Sequence, residues 1–406
     1  MNIRALTGFL DPGWPVDSHL ISDLAACLTA ARQLLAEAGY PVQSLRLATP
    51  PPAEFSKPVP PSALGALARQ LEAECFVHGI DYAALGPALP EEPDGYAAIP
   101  EVLASTENIF ASGLFADPES GLSLPAARAC AQTITDSATI SPDGFANLRF
   151  AALANVPAGA PFFPAAYHRG GPTALAVATE AAELAVDALR DVPSLATARR
   201  RLVSMIEAHA AAITRFTQRV AAEREVHFLG IDFSLAPYPE HARSLGTAME
   251  ALGLPAAGLA GTVAAAAFLT DCLDQAQFLR TGFCGLLLPP LEDDTLAARA
   301  AEGSLTITDL LLCSAVCGTG LDTLPLPGDT TVDQITALLI DLGALALRLD
   351  KPLTARLMPI PGKAVGDEVH FDFPYFADSR VMALRARPLT GLLAAAATLN
   401  LRPRRP

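Results

Sequence analysis

Two periods of apolar residues alternate along this chain. Residues 2–10 form a short apolar run of strand length. Residues 20–38 repeat at helical spacing behind an Asp17-Ser18 N-cap and stop at Gly39. The same alternation continues, with strands expected at 44–48, 82–85 and 108–115 and helices at 60–75 and 124–137. Residues 148–155 are apolar with few charges, as in a strand buried on both faces. Residues 173–187 fit neither period alone, whereas 194–225 reads as one long helix with no internal Gly or Pro. A strong buried strand at 226–232 precedes helices at 241–252 and 261–275, a short strand at 284–288 and a helix at 292–302. An apolar run at 307–316 and a Thr-capped helix at 331–349 follow. Antiparallel strands are expected at 354–359, 368–373 and 380–384, then a packed terminal helix at 389–401.

Repeated strand–helix units imply a largely parallel sheet covered by helices. There are more strands than an open sheet holds comfortably, so closure into an α/β barrel is the expected architecture. Residues 1–388 form that single domain, and residues 389–406 form the C-terminal helix and basic tail. Ligands in such folds bind at strand ends.

Composition narrows the function. The chain has 406 residues, 51% apolar and 17% charged, which excludes a disordered chain. Its net charge of −15 argues against nucleic acid and against anionic membrane surfaces as partners. The start lacks the pattern of a secretory leader, and the seven cysteines stand at unrelated spacings, so a reduced cytoplasmic protein is expected. Cys313 and Cys317 form a C-x3-C pair with no second pair to complete a zinc site. Metalloprotease, nucleophile-elbow, P-loop and dinucleotide fingerprints are missing from the sequence.

Four stretches carry candidate chemistry. In Cys317-Gly318-Thr319-Gly320-Leu321-Asp322 the glycines would expose backbone N–H groups beside a thiol; a buried Cys before an ordinary turn is the plainer alternative. Asp232 ends a very apolar strand with Ser234 two residues on, the place for a general base or ligand in a parallel sheet. An Asp bonding its own loop is equally consistent. Residues 161–171 combine aromatics with His168, Arg169 and paired glycines, and histidine titrates near neutrality. Arg356 and Lys363 stand near glycines and would hold a carboxylate or phosphate, unless they are solvated hairpin charges.

Together these stretches resemble the prokaryotic family called domain of unknown function 711, also uncharacterised protein family 0210. The matching pieces include Ile3-Arg4, Asn108-Ile109, Asn155, Pro161-Phe162 with Tyr167-His168, and Gly261-Thr262. Asp232-Phe233-Ser234-Leu235-Ala236-Pro237 and Cys317 with Gly320-Leu321-Asp322 are the most specific, and 356–367 completes the match. The resemblance implies a closed barrel of about ten strands surrounded by helices, similar to the glycyl-radical-enzyme barrel of pyruvate formate-lyase, with a central cysteine loop bearing Cys317. Arg380-Val381 is followed by Met382 where those enzymes carry the radical glycine, so radical chemistry is not expected.

The expected protein is an enzyme acting on a small polar, anionic metabolite. Cys317, Asp232 and His168 are the catalytic candidates. Asn108, Ser234, Gly318, Gly320, Arg356 and Lys363 are the substrate-orienting ones. Asp232, His168 and Asp322 are the set for a divalent metal. The alternative is a non-catalytic binding or regulatory protein on a retired enzyme fold. A homodimer through the long helix and, by the resemblance, an ACT-domain regulatory partner are the expected associations.

Overall fold

The computed structural model describes residues 1–404; Arg405 of the expected basic tail lies outside them. The chain is mixed α/β, with a large central sheet and eleven α-helices among the described residues. The first half lays down β1 (Asn2–Phe9), α1 (Ser18–Glu37), β2 (Val42–Ala48), α2 (Leu64–Val77) and β3 (Tyr82–Ala84). Next come α3 (Pro93–Ala104), β4 (Ile109–Asp117), β5 (Gly121–Ser123), α4 (Leu124–Ser137) and β6 (Phe150–Ala154). After a long loop follow β7 (Ala174–Glu180), α5 (Ala182–Leu189), α6 (Leu195–Glu223) and β8 (His227–Asp232). Four helices separate β8 from β9 (Gly320–Pro327): α7 (Leu245–Ala251), α8 (Thr262–Gln275), α9 (Asp294–Glu302) and α10 (Ile307–Cys317). The last crossover is α11 (Val332–Leu349), leading into β10 (Leu353–Ile360).

Strand pairing runs in one continuous path of nine strands, β8-β7-β1-β2-β3-β4-β6-β10-β9. The five from β1 to β6 are parallel to one another. β7 pairs antiparallel with β1, and β10 pairs antiparallel with β6. β8 and β9 then extend these two flanks in parallel. The strand ends are therefore opposed in direction between the two halves.

The ends of this path are not bare. Segment 279–286 makes parallel bridges to β8 at Ile231 and just beyond it at Leu235. Ile231 N donates to Leu279 O at 2.9 Å, and Leu235 N donates to Gly285 O at 2.9 Å. On its other side, the Thr319 hydroxyl donates to Leu286 O. Gly285 lies so close to the chain there that a Cβ would sit 2.1 Å from Cys317 O.

Side chains alternate across the sheet as the pleat requires. Leu45, Leu47 and Ala83 join the helix-facing core, while Ala48 and Ala84 join a second cluster with Phe9, Phe163 and Ala166. The loop between β6 and β7 supplies that second layer. Phe162, Phe163, Ala165 and Ala166 pack on the inner face of the sheet. Small residues permit this close approach: Ala5, Ala176 and Ala178 lie beneath the loop.

Most expected elements form, with caps that match the sequence. Asp17 caps α1 by accepting from His19 N, and Thr331 with Gln334 makes a capping box on α11. The ambiguous stretch around 173–187 resolves into β7 followed by α5. α3, which carries Pro100 in its interior, was not expected from the pattern. The expected strands at 368–373 and 380–384 shrink to a two-residue ladder, Glu368–Val369 with Ser379–Arg380.

Two expectations fail. No helix spans 389–401. Thr398 and Leu399 instead pair with Ser123 and Leu122 of β5, and Gly391 has a positive φ of 64°. An isolated helix of that length is marginal without a face to bury, and residues 391–398 are exposed. Nor does Cys317 stand on a loop. Leu310, Cys313, Ser314 and Cys317 are buried at helical spacing, so α10 continues through Cys317 before Gly318 (φ 81°) ends it. The loop packed on the inner face is the aromatic one between β6 and β7. No helix among the described residues is long and apolar enough to cross a membrane.

Candidate functional site: a cavity lined by arginines and aromatic rings

Side chains on one face of the sheet and the loops packed on it line a cavity of about 520 Å³. Its size is that of a small-molecule site. Arg4 comes from β1, Ser44 and Arg46 from β2, Tyr82 from β3 and Phe110 from β4. Asp322 of β9 and Arg356 of β10 face them, with Glu292 beside them. Phe162, Phe163 and Phe283 form one wall, and Phe373 and Tyr375 of the C-terminal segment another.

Most charges here are paired. Arg356 donates through Nε to Asp322 Oδ1 and through Nη2 to Glu292 Oε1, the latter at 2.6 Å. Burial opposes the Arg356 charge, but Asp322 and Glu292 outweigh it and hold its pKa above the ordinary value. Arg4 donates through Nη2 to Pro237 O at 2.6 Å, and its Nη1 lies 3.5 Å from Glu292 Oε2. Its Nε is 3.3 Å from Glu180 Oε2, and Glu180 is also bonded by Arg243. A chain of ion pairs thus ties β1, β7, β9 and β10 together.

Arg46 differs. Its Nε donates to Ser44 Oγ at 2.9 Å, but its two Nη groups have no acceptor among the described residues. No carboxylate among the described residues pairs with it. Its guanidinium carbon lies 5.0 Å from the Phe163 ring centre and 5.8 Å from that of Tyr82. Burial, and then repulsion from Arg4, lowers its pKa to about 10, which leaves it cationic at neutral pH.

Of the residues proposed from sequence, Asn108, Asp322 and Arg356 line this cavity. The others lie elsewhere. Asp232 is fully buried and all its acceptor sites face donors from its own neighbourhood. Oδ1 accepts from Ser234 N (3.2 Å), Ser234 Oγ (2.6 Å) and Cys284 N (2.9 Å), and Oδ2 from Phe283 N (2.7 Å). Ser234 Oγ in turn accepts from Gly285 N at 3.1 Å. Asp232 and Ser234 therefore clamp segment 279–286 to β8. Burial outweighs those donors and pushes the Asp232 carboxyl up to about 6.

Cys317 is 2% exposed and belongs to the helix-facing core. Burial pushes its thiol up, against the favourable field of Lys351, whose ammonium donates to Ala315 O at 3.2 Å. Its sulfur is thus the protonated, weakly nucleophilic form. Gly318 ends α10, and at Gly320 a Cβ would meet Thr354 O at 2.2 Å, so both glycines serve backbone packing. Between them, only Thr319 reaches the cavity. His168 is buried beside Phe9, its backbone N–H donating to Thr49 O; burial lowers its pKa and Nε2 has no partner among the described residues. Lys363 is exposed on the surface.

The proposed metal set does not assemble. No group of three or more His, Cys, Asp or Glu among the described residues could hold an ion. Asp322 is bonded to Arg356, and Asp232 is surrounded by donors.

Sequence reasoning missed Arg46, Glu292 and Glu180. The available signal was a single cation inside the apolar strands of β1 and β2: Arg4 in NIRALTGF and Arg46 in VQSLRLA. A charge at an inward strand position is rare without a partner or a ligand.

Comparison with known proteins gives a family and no activity. The family model described as Uncharacterised ACR (DUF711) matches residues 2–375. A UPF0210 protein of Pyrobaculum islandicum is 33% identical over 355 residues, covering 83% of this chain and 78% of that one. A UPF0210 protein of Methanopyrus kandleri is 30% identical over 403 residues, 91% of this chain and 88% of its own. One from Neisseria meningitidis serogroup B is 27% identical over 358 residues, 85% and 79% respectively.

Proposed function

We propose that this chain, which belongs to the family described as Uncharacterised ACR (DUF711), binds a small organic anion in the arginine-lined cavity. The observation that carries the reading is Arg46, a guanidinium on the cavity wall whose Nη donors lack an acceptor. Arg46 is half-buried, and its Nη donors open onto the cavity, where an incoming anion would pair a charge that the described residues leave without a counter-ion. Arg suits this role because its planar fork meets a carboxylate or phosphate with two parallel hydrogen bonds. Binding is the step common to the catalytic and the regulatory readings. A role for Cys317 as the reacting group has no support from its position in the helical core.

The cavity follows from closure of the sheet. We take segment 279–288 as the tenth strand, lying between β8 and β9. In favour are its bridges to β8, its contact with Cys317 and Thr319, and the buried state of both terminal strands. An open edge of that length in the core would leave backbone groups unpaired.

The test is thermal melting with a panel of small anions, each matched by its neutral amide. One or more anions should raise the melting temperature and the amides should not. In Arg46→Met the anion response should fall by at least ~30-fold in affinity, a loss of about 2 kcal/mol for a desolvated charge pair. The ligand-free variant should melt no lower than the parent, because a half-buried charge without a counter-ion, close to the Arg4 charge, has been removed. Equal anion responses in parent and variant would overturn the proposal.

A further inference from the structure

The cavity also restricts which anion fits. We propose that the ligand is a monocarboxylate carrying an apolar ring or branched body, with its carboxylate on Arg46 and its body between the aromatic walls. This inference rests on the anion-binding reading of the same site.

Charge comes first. Arg46 is the one cavity guanidinium whose Nη donors are all unengaged among the described residues. Arg356 is committed to Asp322 and Glu292, and Arg4 to Pro237 O and toward Glu292 and Glu180. One free fork matches one planar monoanion. A dicarboxylate or a phosphate dianion would bring a second negative charge into a space that Glu292 and Asp322 already line. Repulsion there disfavours the second charge once the ligand has displaced the cavity water that screens it.

Volume comes second. About 520 Å³ is roughly the share of 17 waters at ~30 Å³ each. A bare oxyanion would leave most of that space as water against Phe110, Phe162, Phe163, Phe283 and Phe373. Filling it with an apolar body removes that hydrated surface. The groups around Arg46 fit the same ligand. Tyr82 and Phe163 flank the guanidinium, so a planar body extending from the carboxylate continues along ring faces.

The experiment is calorimetric titration of the full chain and of Arg46→Met with five probes. These are phenylacetate, acetate, succinate, phenyl phosphate and phenylacetamide. Phenylacetate should bind at least tenfold more tightly than each of the other four, and Arg46→Met should abolish that preference. Phe163→Leu should weaken phenylacetate several-fold while leaving acetate unchanged. If succinate or phenyl phosphate binds more tightly than phenylacetate, in an Arg46-dependent way, the ligand class is wrong while the anion site stands. If acetate equals phenylacetate, the aromatic walls do not contribute and the inference falls. If no anion binds, or Arg46→Met changes nothing, both the inference and the function beneath it fail together.

Discussion

At the scale of single residues, the contrast between Arg46 and Asp232 separates a binding group from a structural one. Both are charges set in apolar strands, and both are shifted first by burial. Asp232 is met by four donors, three of them backbone N–H groups, whereas the Nη donors of Arg46 meet no acceptor among the described residues. A satisfied buried carboxylate fixes a shape; a half-buried cation whose donors open onto a cavity is free to take a partner. The raised pKa of Asp232 has a measurable consequence. The folded state holds its proton up to about pH 6, while the unfolded chain releases it near 3.8. Asp232 therefore stabilises the fold most below pH 4, and that contribution declines by about 3 kcal/mol as pH rises through 6. Asp232→Asn should melt below the parent throughout, with a gap that narrows between pH 4 and pH 7. Paired melts across that range check it; a gap that widens with pH would mean that the carboxylate is held ionised.

At the scale of elements, the segment after α8 decides how the sheet ends. The short strand expected at 284–288 appears as isolated bridges to β8, and the position of the segment depends on the Asp232–Ser234 clamp and on glycines that allow close approach. At Gly282 the backbone has φ +68°, and a Cβ would sit 2.2 Å from Asp232 Oδ2. Gly282→Ala should therefore cost about 2–4 kcal/mol, combining strain at positive φ with displacement of the clamp. Chemical denaturation measures it. A cost below ~1 kcal/mol would show that the segment is loosely held. The D-x-S-L-A-P stretch, a prominent candidate for chemistry in the sequence, acts at this scale as a fastener. Its Asp and Ser hold Phe283 in position, and Phe283 in turn lines the cavity.

At the scale of the whole molecule, two sets of parallel strands meet in opposite directions, at β1–β7 and at β6–β10. The ion-pair chain through Arg4, Glu180, Glu292, Arg356 and Asp322 crosses the first seam and, through Glu292, links β1 to β10 and β9. Buried pairs add little net stability, but breaking one leaves a bare charge, so they enforce a single arrangement of the halves. If segment 279–288 closes the circuit, its bonded amides belong to the same cooperative unit as the central strands. Hydrogen exchange then gives protection at Ile231, Thr281, Leu235 and Gly285 comparable with that in β1 and β2. Exchange of Thr281 and Gly285 at the rate of an exposed loop would leave the sheet open at that edge.

The sequence by itself determined the order of strands and helices, because burial of one face imposes a period that local composition records. It also carried the family and placed Asn108, Asp322 and Arg356, polar residues in or next to apolar strands, among the candidates. It misjudged the terminal segment, where an exposed Ala-rich run pairs with β5 rather than forming a helix, and α10, whose period runs on through Cys317. Only the tertiary structure decided the site. Whether a charge is satisfied depends on groups far away along the chain, such as Glu292 beside Arg4 and Arg356. Asp232 and Arg46 look alike as isolated charges in apolar strands, and no spacing reveals that one is surrounded by donors and the other faces a cavity. Pairing is a property of three-dimensional neighbours, and the hydrophobic pattern encodes only which way each side chain points.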